Sequence, residues 1–281
     1  MPTPHTLNLK GKLMTLHQPH VMGILNITAD SFYAESRYTS VDAALRKAEQ
    51  MLTDGADIID IGGQSTRPGA SSVAADEELK RVMPVLEAII KHLPQTIMSI
   101  DTYYGRVATE GVGAGAALIN DISAGSMDSD MLPAVAQLKV PYILMHIKGT
   151  PATMQQHPDY NNVMAEVIKY FSEKLNKLRL LGIADVIIDP GFGFGKTLEH
   201  NYTLLCHLKE FEMFGCPLLA GLSRKGMIQA ATGTDAAGAL NGTTAAHMAA
   251  LMNGADLLRV HDVKEAVEVV KVYCAMQGKP L

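Results

Sequence analysis

Val186–Lys196, VIIDPGFGFGK, is the stretch on which the reading of this chain turns. Three aliphatic residues run into Asp189, Pro190 ends the run, and Gly191, Gly193 and Gly195 alternate with Phe192 and Phe194 before Lys196. A short apolar run bounded by Pro and Gly predicts a buried strand that opens into a loop. A carboxylate at the last position of such a strand is costly to bury without a partner, and a bound ligand can be that partner. The three glycines leave room for a ligand and for positive φ, and the two phenylalanines offer aromatic faces to it. Taken alone, the same residues also fit a strand-to-helix turn with a solvated Asp, so the rest of the chain has to decide.

Moving outward, the same unit recurs. Short β-rich runs with polar ends lie at Val21–Ile27, Asp57–Gly62, Thr96–Asp101, Ala117–Ile122, Val140–His146, Val186–Asp189, Pro217–Leu222 and Asp256–His261. Between and after them come helical patterns at Val41–Thr53, Ala75–Leu93, Arg106–Gly113, Ser129–Leu138, Met164–Leu181, Leu198–Phe211, Gly238–Met252 and Val263–Met276. The clearest carries Val163, Val167, Phe171, Leu175 and Leu178 as one apolar stripe ending at Gly182. Glycines in Asp54–Asp57 (DGAD), Ala114–Ala117 (AGAA) and Asn253–Asp256 (NGAD) suit tight helix-to-strand returns. Eight strands alternating with helices predict a parallel sheet, and the number favours closure into a (β/α)8 TIM barrel, with a doubly wound open sheet as the alternative. Leu7–Lys10 and Leu13–Leu16 flank Gly11 and predict a short N-terminal β-hairpin at about 5–18, leaving the barrel to about 20–276. No linker or low-complexity tract interrupts residues 1–281, so a single domain is expected.

Bulk composition narrows the partners. With 281 residues, 47% apolar residues, 5% aromatics and no Trp, the expected core is aliphatic and Met-rich. A net charge of −5 and a pI near 6.0 argue against coating nucleic acid, so an anionic ligand needs a local cluster of cations. Three cysteines without a CxxC pair fit reduced thiols in a cytoplasm, and no run approaches the ~18 apolar residues of a membrane span. The N-terminal residues lack the continuous apolar segment of a secretory signal.

Barrel chemistry sits at the carboxyl ends of the strands. Those ends hold Asn26; Gln64 through Arg67; Asp101; Asn120 and Asp121; His146; Asp189; Ser223 through Lys225; and Arg259 with His261. Asp101, Asn120 and Asp189 suit a flat heterocycle rich in N–H donors, whereas Thr66, Arg67, Arg259 and His261 suit phosphate. An ion pair at a strand end is the plain structural alternative for the carboxylates, and a core methionine for Met145. His146 and His157 lack a fitting third ligand for zinc. GFGFGK lies too late and lacks the distal acid of a dinucleotide fingerprint, and GLSRK is not a nucleophile elbow.

From Val21 to about Val270 the chain carries MGILNITADSF, DIIDIGGQSTRPGA, SIDT, NDIS, MH-x-x-GTPATMQ-x-x-P-x-Y, DPGFGFGK, GLSRK and RVHDV in that order. In this ordered set it resembles the dihydropteroate synthase family, pterin-binding TIM barrels that join 6-hydroxymethyl-7,8-dihydropterin pyrophosphate to p-aminobenzoate for folate synthesis. The resemblance implies that Asp101, Asn120, Met145, Asp189, Lys225 and Arg259 hold the pterin. It implies that Asn26, Thr66, Arg67, Arg259 and His261 hold the pyrophosphate, with Mg2+ bridging through Asn26. Thr66, Pro68, Phe194, Lys225 and Gly226 would hold p-aminobenzoate, with sulfonamides as competitors. Arg67, Asp101, Lys225, Arg259 and His261 would be the catalytic set; no general base is assigned. The loops Thr28–Tyr38 and Gln64–Val73 would close as lids, and a homodimer through late helices is expected. Competing readings are a methyltransferase barrel that uses methyltetrahydrofolate and a non-catalytic pterin-binding barrel. The former should not need the STRPG and RVH clusters.

Four places depart from the family pattern. Ala29 replaces a usual Pro, Ala34-Glu35-Ser36 replaces Asp-Gly-Gly, Gln64 replaces a common Glu, and Gly226 replaces a Ser that helps hold the p-aminobenzoate carboxylate.

Overall fold

The computed structural model describes residues 5–27, 37–65, 69 and 72–278. The chain opens with the antiparallel pair β1 (His5–Leu9) and β2 (Lys12–Leu16). Then come β3 (His20–Asn26), α1 (Arg37–Thr53), β4 (Ile58–Gly62), α2 (Ala75–His92), β5 (Ile97–Asp101), α3 (Gly105–Ala114), β6 (Leu118–Asp121) and α4 (Met131–Leu138). The second half adds β7 (Tyr142–Met145), α5 (Val163–Leu180), β8 (Val186–Asp189), α6 (Leu198–Cys206), a 3-10 turn (Leu208–Phe214) and β9 (Leu219–Ala220). It ends with α7 (Gly226–Thr232), α8 (Leu240–Met252), β10 (Leu257–Val260) and α9 (Val263–Met276). Eight parallel strands run in the order β8-β7-β6-β5-β4-β3-β10-β9, and a parallel bridge from Ile188 to Leu218 joins the two ends. The sheet therefore closes into a barrel, and the open doubly wound alternative is excluded. No helix among the described residues is long and apolar enough to cross a membrane.

Two helical expectations needed revision. The segment expected as one helix at Leu198–Phe211 is α6 followed by the 3-10 turn, and a short helix, α7, precedes α8. The stripe on α5 is buried at all five positions, and Asn162 caps it by accepting from the Ala165 amide at 3.0 Å.

Side-chain alternation sorts each strand into two faces. Ile59, Ile61, Met98, Ile100, Ile119, Leu144, Ile188 and Leu258 face outward into the helical layer. Met22, Ile58, Leu118, Ile143, Ile187, Leu219 and Leu257 form an apolar layer inside the barrel, with Leu7, Leu9 and Leu16 of the hairpin packed against them. Two residues further along each strand, the interior positions become Ile24, Asp60, Ser99, Asn120, Met145, Asp189, Gly221 and Arg259. The barrel is thus apolar and plugged at its amino end and polar toward its carboxyl end.

The returns predicted from DGAD and NGAD use Gly55 at φ +100° and Gly254 at φ +90°. The Asp that follows does a second task that the glycine pattern did not reveal. Asp57 Oδ2 accepts the Val21 amide, Asp256 Oδ2 accepts the Leu218 amide (both at 2.8 Å), and Asp185 Oδ2 accepts the Asn8 amide at 3.1 Å. Each carboxylate satisfies a backbone donor at the start of a neighbouring strand or in the hairpin.

Because Leu7 is 1% exposed and packs against the apolar interior layer, Leu7→Ala should lower unfolding free energy by about 2–5 kcal/mol. Urea denaturation measures this; a loss below about 1 kcal/mol would show that the hairpin is an ornament and not part of the core.

Candidate active site

The polar interior layer is held by one cation. Arg259 projects from β10, donating through Nε to Asp60 Oδ2 at 2.7 Å and through Nη2 to Asp101 Oδ2 at 2.6 Å. Asp60 Oδ2 also accepts from Asn120 Nδ2 at 2.9 Å. Four strands, β10, β4, β5 and β6, are thereby joined across the barrel through side chains. Asp60 is wholly buried, and its Oδ1, like Ser99 Oγ beside it in register, has no partner among the described residues. Burial pushes the Asp101 carboxyl up to about 7; Arg259 opposes this, while Asp60 and Asp121 add to it. Burial works against the charge on Arg259, yet Asp60 and Asp101 together hold its guanidinium above its ordinary value. Asp101 is thus in the ion pair weighed above as the plain alternative, and Arg259 belongs to the same floor as the carboxylates instead of forming a separate cationic wall.

Asp189 ends β8 and is 5% exposed, with Oδ1 accepting from the Gly191 amide at 2.8 Å. Burial raises its carboxyl, while Lys225, the Gly191 amide and Arg259 act in the other direction. Lys225 faces it across Gly221. A Cβ placed on Gly221 would lie 3.7 Å from Lys225 Nζ and 3.8 Å from Asp189 Oδ2, so the missing side chain leaves the hollow between them. Lys225 Nζ donates to the Phe192 carbonyl and lies 4.7 Å from the centre of the Phe194 ring. Burial brings its ammonium down to about 8, with Asp189 resisting.

The loop after β8 is shaped by Lys196, which is 3% exposed. Its Nζ donates to the carbonyls of Gly191 at 2.9 Å and Phe194 at 3.0 Å, and meets His146 Nδ1 at 2.9 Å. Burial and the neighbouring Lys196 push the His146 imidazole down to about 2, so Nδ1 accepts and the ring is neutral. Gly191 sits at φ +71°, and a Cβ there would collide with the His146 carbonyl oxygen. The glycine is required by close approach of two loops as much as by its backbone angle. The expectation that both phenylalanines offer faces to a ligand is corrected for Phe192, which is fully buried in the outer core because alternation turns it away from the mouth. Phe194 is half-buried beside the pocket shelf formed by Tyr103, Ile122, Met145, Ile147 and Met154.

His261 is exposed at the end of β10, with Nδ1 3.0 Å from Ser223 Oγ and its amide donating to the same oxygen at 3.2 Å. Arg224, beside it in GLSRK, is a strut: it pairs with both oxygens of Asp262 at 2.7 and 2.8 Å and donates to the Ala236 and Ala237 carbonyls. Asp121 is also structural. It faces outward and accepts from the Ser123 and Gly125 amides and the Tyr142 hydroxyl. Asn26 is exposed at the end of β3, and Gly226 is exposed at the start of α7, where a Cβ would meet nothing within 4 Å. Thr66, Arg67 and Pro68, and most of the two expected lids, lie outside the described residues. Among the described residues no group of three His, Cys, Asp or Glu side chains could hold a metal ion.

The pocket therefore brings Asp101, Asn120, Met145, Asp189, Lys225 and Arg259 together. Asp60, Gly221 and Lys196 are neighbours of this cluster that sequence reasoning did not place there, and Ser223, read only as a strand-end residue, meets the His261 ring. Asp60 had a usable signal: it is a charge at an interior-facing position of an otherwise apolar strand, IIDIG.

Comparison with known proteins agrees with this geometry. Residues 22–261 match the pterin binding enzyme family. Dihydropteroate synthase of Escherichia coli strain K12 is 46% identical over 265 residues, covering 94% of this chain and 93% of that protein. The Yersinia pestis dihydropteroate synthase in complex with a sulfonamide drug superposes with a TM-score of 0.92 at 42% identity, covering 98% of this chain and all (100%) of the other. The Xanthomonas albilineans dihydropteroate synthase with 4-aminobenzoic acid gives a TM-score of 0.91 at 42% identity, covering 99% and 100%. A closed eight-stranded barrel with this carboxylate, amide and lysine floor, and near-complete likeness to these proteins, establishes that the chain belongs to the dihydropteroate synthase family of pterin binding enzymes.

Proposed function

We propose that this chain is a transferase of folate biosynthesis that condenses 6-hydroxymethyl-7,8-dihydropterin pyrophosphate with p-aminobenzoate, releasing pyrophosphate and forming 7,8-dihydropteroate. The observation that carries this reading is the hollow left by Gly221, faced by Asp189 on one side and Lys225 on the other. A carboxylate accepts from two adjacent N–H groups of a pterin, and an ammonium donates to its carbonyl and ring nitrogen, so one flat ring satisfies both. Asp101 and Asn120 complete the edges of that ring, and Met145 packs on its face.

The chemistry is displacement at the pterin methylene, with the bond to pyrophosphate largely broken before the amine arrives. Negative charge grows on the departing group and is met by Arg67, Thr66, Arg259 and His261. Arg259 is fixed by two carboxylates, and Ser223 holds the His261 ring, so neither has to reorganise as charge develops. Asn26 offers an exposed amide oxygen, and a single such donor fits Mg2+, which keeps several waters and takes phosphate oxygens. When bound there, Mg2+ would neutralise charge on the diphosphate. The aryl amine is a weak nucleophile, so alignment by Thr66, Pro68, Phe194, Lys225 and Gly226 contributes more than prior deprotonation. Sulfonamides would compete for the same place. The chain is proposed to act in the cytoplasm as a homodimer, in keeping with its three free cysteines and the exposed Met252, Val272 and Met276 of α8 and α9.

The first test is pyrophosphate release from the pterin substrate. It should require p-aminobenzoate and fall as pH rises past about 8, where Lys225 loses the proton it donates. Asp189→Asn should weaken pterin binding roughly 10- to 100-fold, the cost of losing hydrogen bonds to a charged group. Release without p-aminobenzoate, or no release at all, would sink the synthase and favour hydrolysis or a binding-only barrel.

Gly226→Ser restores a hydroxyl at a position with open space. It should lower the p-aminobenzoate KM by about tenfold, corresponding to one charge-assisted hydrogen bond. Steady-state kinetics in both enzymes decide this, and an unchanged KM refutes it.

A further inference from the structure

Behind the pocket floor lies a buried carboxyl that the mechanism above does not use. Glu78 is in the first turn of α2 and is wholly buried. Its Oε2 accepts from Gln64 Nε2 at 2.8 Å and from Thr102 Oγ1 at 3.2 Å, while its Oε1 has no partner among the described residues. Gln64 is the second residue after β4 and Thr102 is the residue after Asp101, so one carboxyl oxygen links the exits of two adjacent strands. Gly63 packs directly on it, since a Cβ there would lie 2.9 Å from Glu78 Cγ. Helix ends do not ordinarily bury an acid in this way; an exposed glutamate would serve the first turn of α2 as well.

We propose that Glu78 is a positioning residue of the transferase site: its carboxyl fixes the root of the β4 loop, which continues into Thr66 and Arg67, against the tip of β5 that carries Asp101. This rests on the function proposed above. The charged and titratable groups facing Glu78 are Asp101 on β5, Tyr103 just beyond it, and Arg81 one turn along α2. Arg81 is engaged with Glu77 and the Gly63 carbonyl, so among the described residues no cation forms an ion pair with Glu78. Burial first, and Asp101 second, raise the Glu78 carboxyl to about 8, so at neutral pH it is an uncharged acceptor. Asp101 keeps a second anchor in Arg259, whereas the Gln64 side chain is tied to Glu78 at 2.8 Å and otherwise meets the Tyr103 hydroxyl, not the pterin floor. Loss of Glu78 should therefore fall on the loop side of the site and spare the pterin floor.

The experiment is calorimetric and uses the full chain with two probes, 6-hydroxymethylpterin and the same pterin carrying diphosphate. Glu78→Ala should leave the alcohol within about twofold and weaken the diphosphate about tenfold or more, equivalent to one hydrogen bond to a charged group. Glu78→Gln, which keeps an acceptor in place, should restore most of the diphosphate affinity. If Glu78→Ala does not fold, Gln64→Leu removes the same tie from the other side and should give the same split. Thermal melts supply a second readout. A carboxyl raised from 4.5 to about 8 in the folded state binds a proton that the unfolded chain has released, so wild-type stability falls as pH rises through that window. Glu78→Gln should flatten that decline. Equal loss of both probes, loss of neither, or an unchanged pH slope overturns the proposal. Wild type is measured first: if it does not bind the pterin diphosphate, the function proposed above fails, whereas normal wild-type binding with no split in the variants removes Glu78 alone.

Discussion

Two carboxylates on neighbouring strands inside a barrel cannot both be ionised without a cation between them, and Arg259 is that cation. Its guanidinium reaches Asp60 at 2.7 Å and Asp101 at 2.6 Å, and Asn120 joins through Asp60. A planar fork with several fixed donors can serve two carboxylates at once, where an ammonium would act as a single point charge. Taking away one member of such a buried set leaves an uncompensated charge, which costs far more than the net contribution of the pair to folding. The shape of the pocket floor follows from this one arrangement, while burial, with Asp60 and Asp121 adding to it, keeps the Asp101 carboxyl raised against the pull of Arg259.

A polar layer inside a barrel is a poor source of stability, and the molecule divides the two tasks along its axis. The amino end is apolar in every strand and sealed by Leu7, Leu9 and Leu16 of the hairpin. The carboxyl end is left to charge and to loops. There the second organising device is Lys196, whose buried ammonium meets two loop carbonyls and His146 Nδ1. With its donors directed at fixed acceptors, it shapes the Gly191–Gly195 loop from below, so Phe194 and Lys225 meet on a defined surface. The floor and the loop are stiff where a flat ring would lie.

Much of this was legible in the order of residues. Alternation of β-rich runs with amphipathic stripes predicted eight strands and their helices, and the α5 stripe was correct at each position because burial periodicity is local. Strand-end reading named Asp101, Asn120, Asp189, Lys225 and Arg259, and the structure brings these side chains together. It failed where a residue's face, not its type, decided its role. Phe192 and Asp121 sit in motifs beside site residues yet point into the helical layer, and Arg224 turns to Asp262. Asp60 was passed over because it lies before the strand end, inside an apolar run.

What the sequence determined unaided is the periodic pattern, and with it the expectation of an eight-stranded barrel, a short N-terminal hairpin and the set of polar residues at the strand ends. These are consequences of side-chain alternation and of turn chemistry, which act over a few residues. Which polar groups meet was decided only by closure of the sheet. Asp60 and Arg259 are 199 positions apart, and Asp101 and Arg259 are 158 apart. No local rule couples such residues; the register of eight strands brings them within hydrogen-bonding distance, and the low-dielectric interior makes that distance decisive.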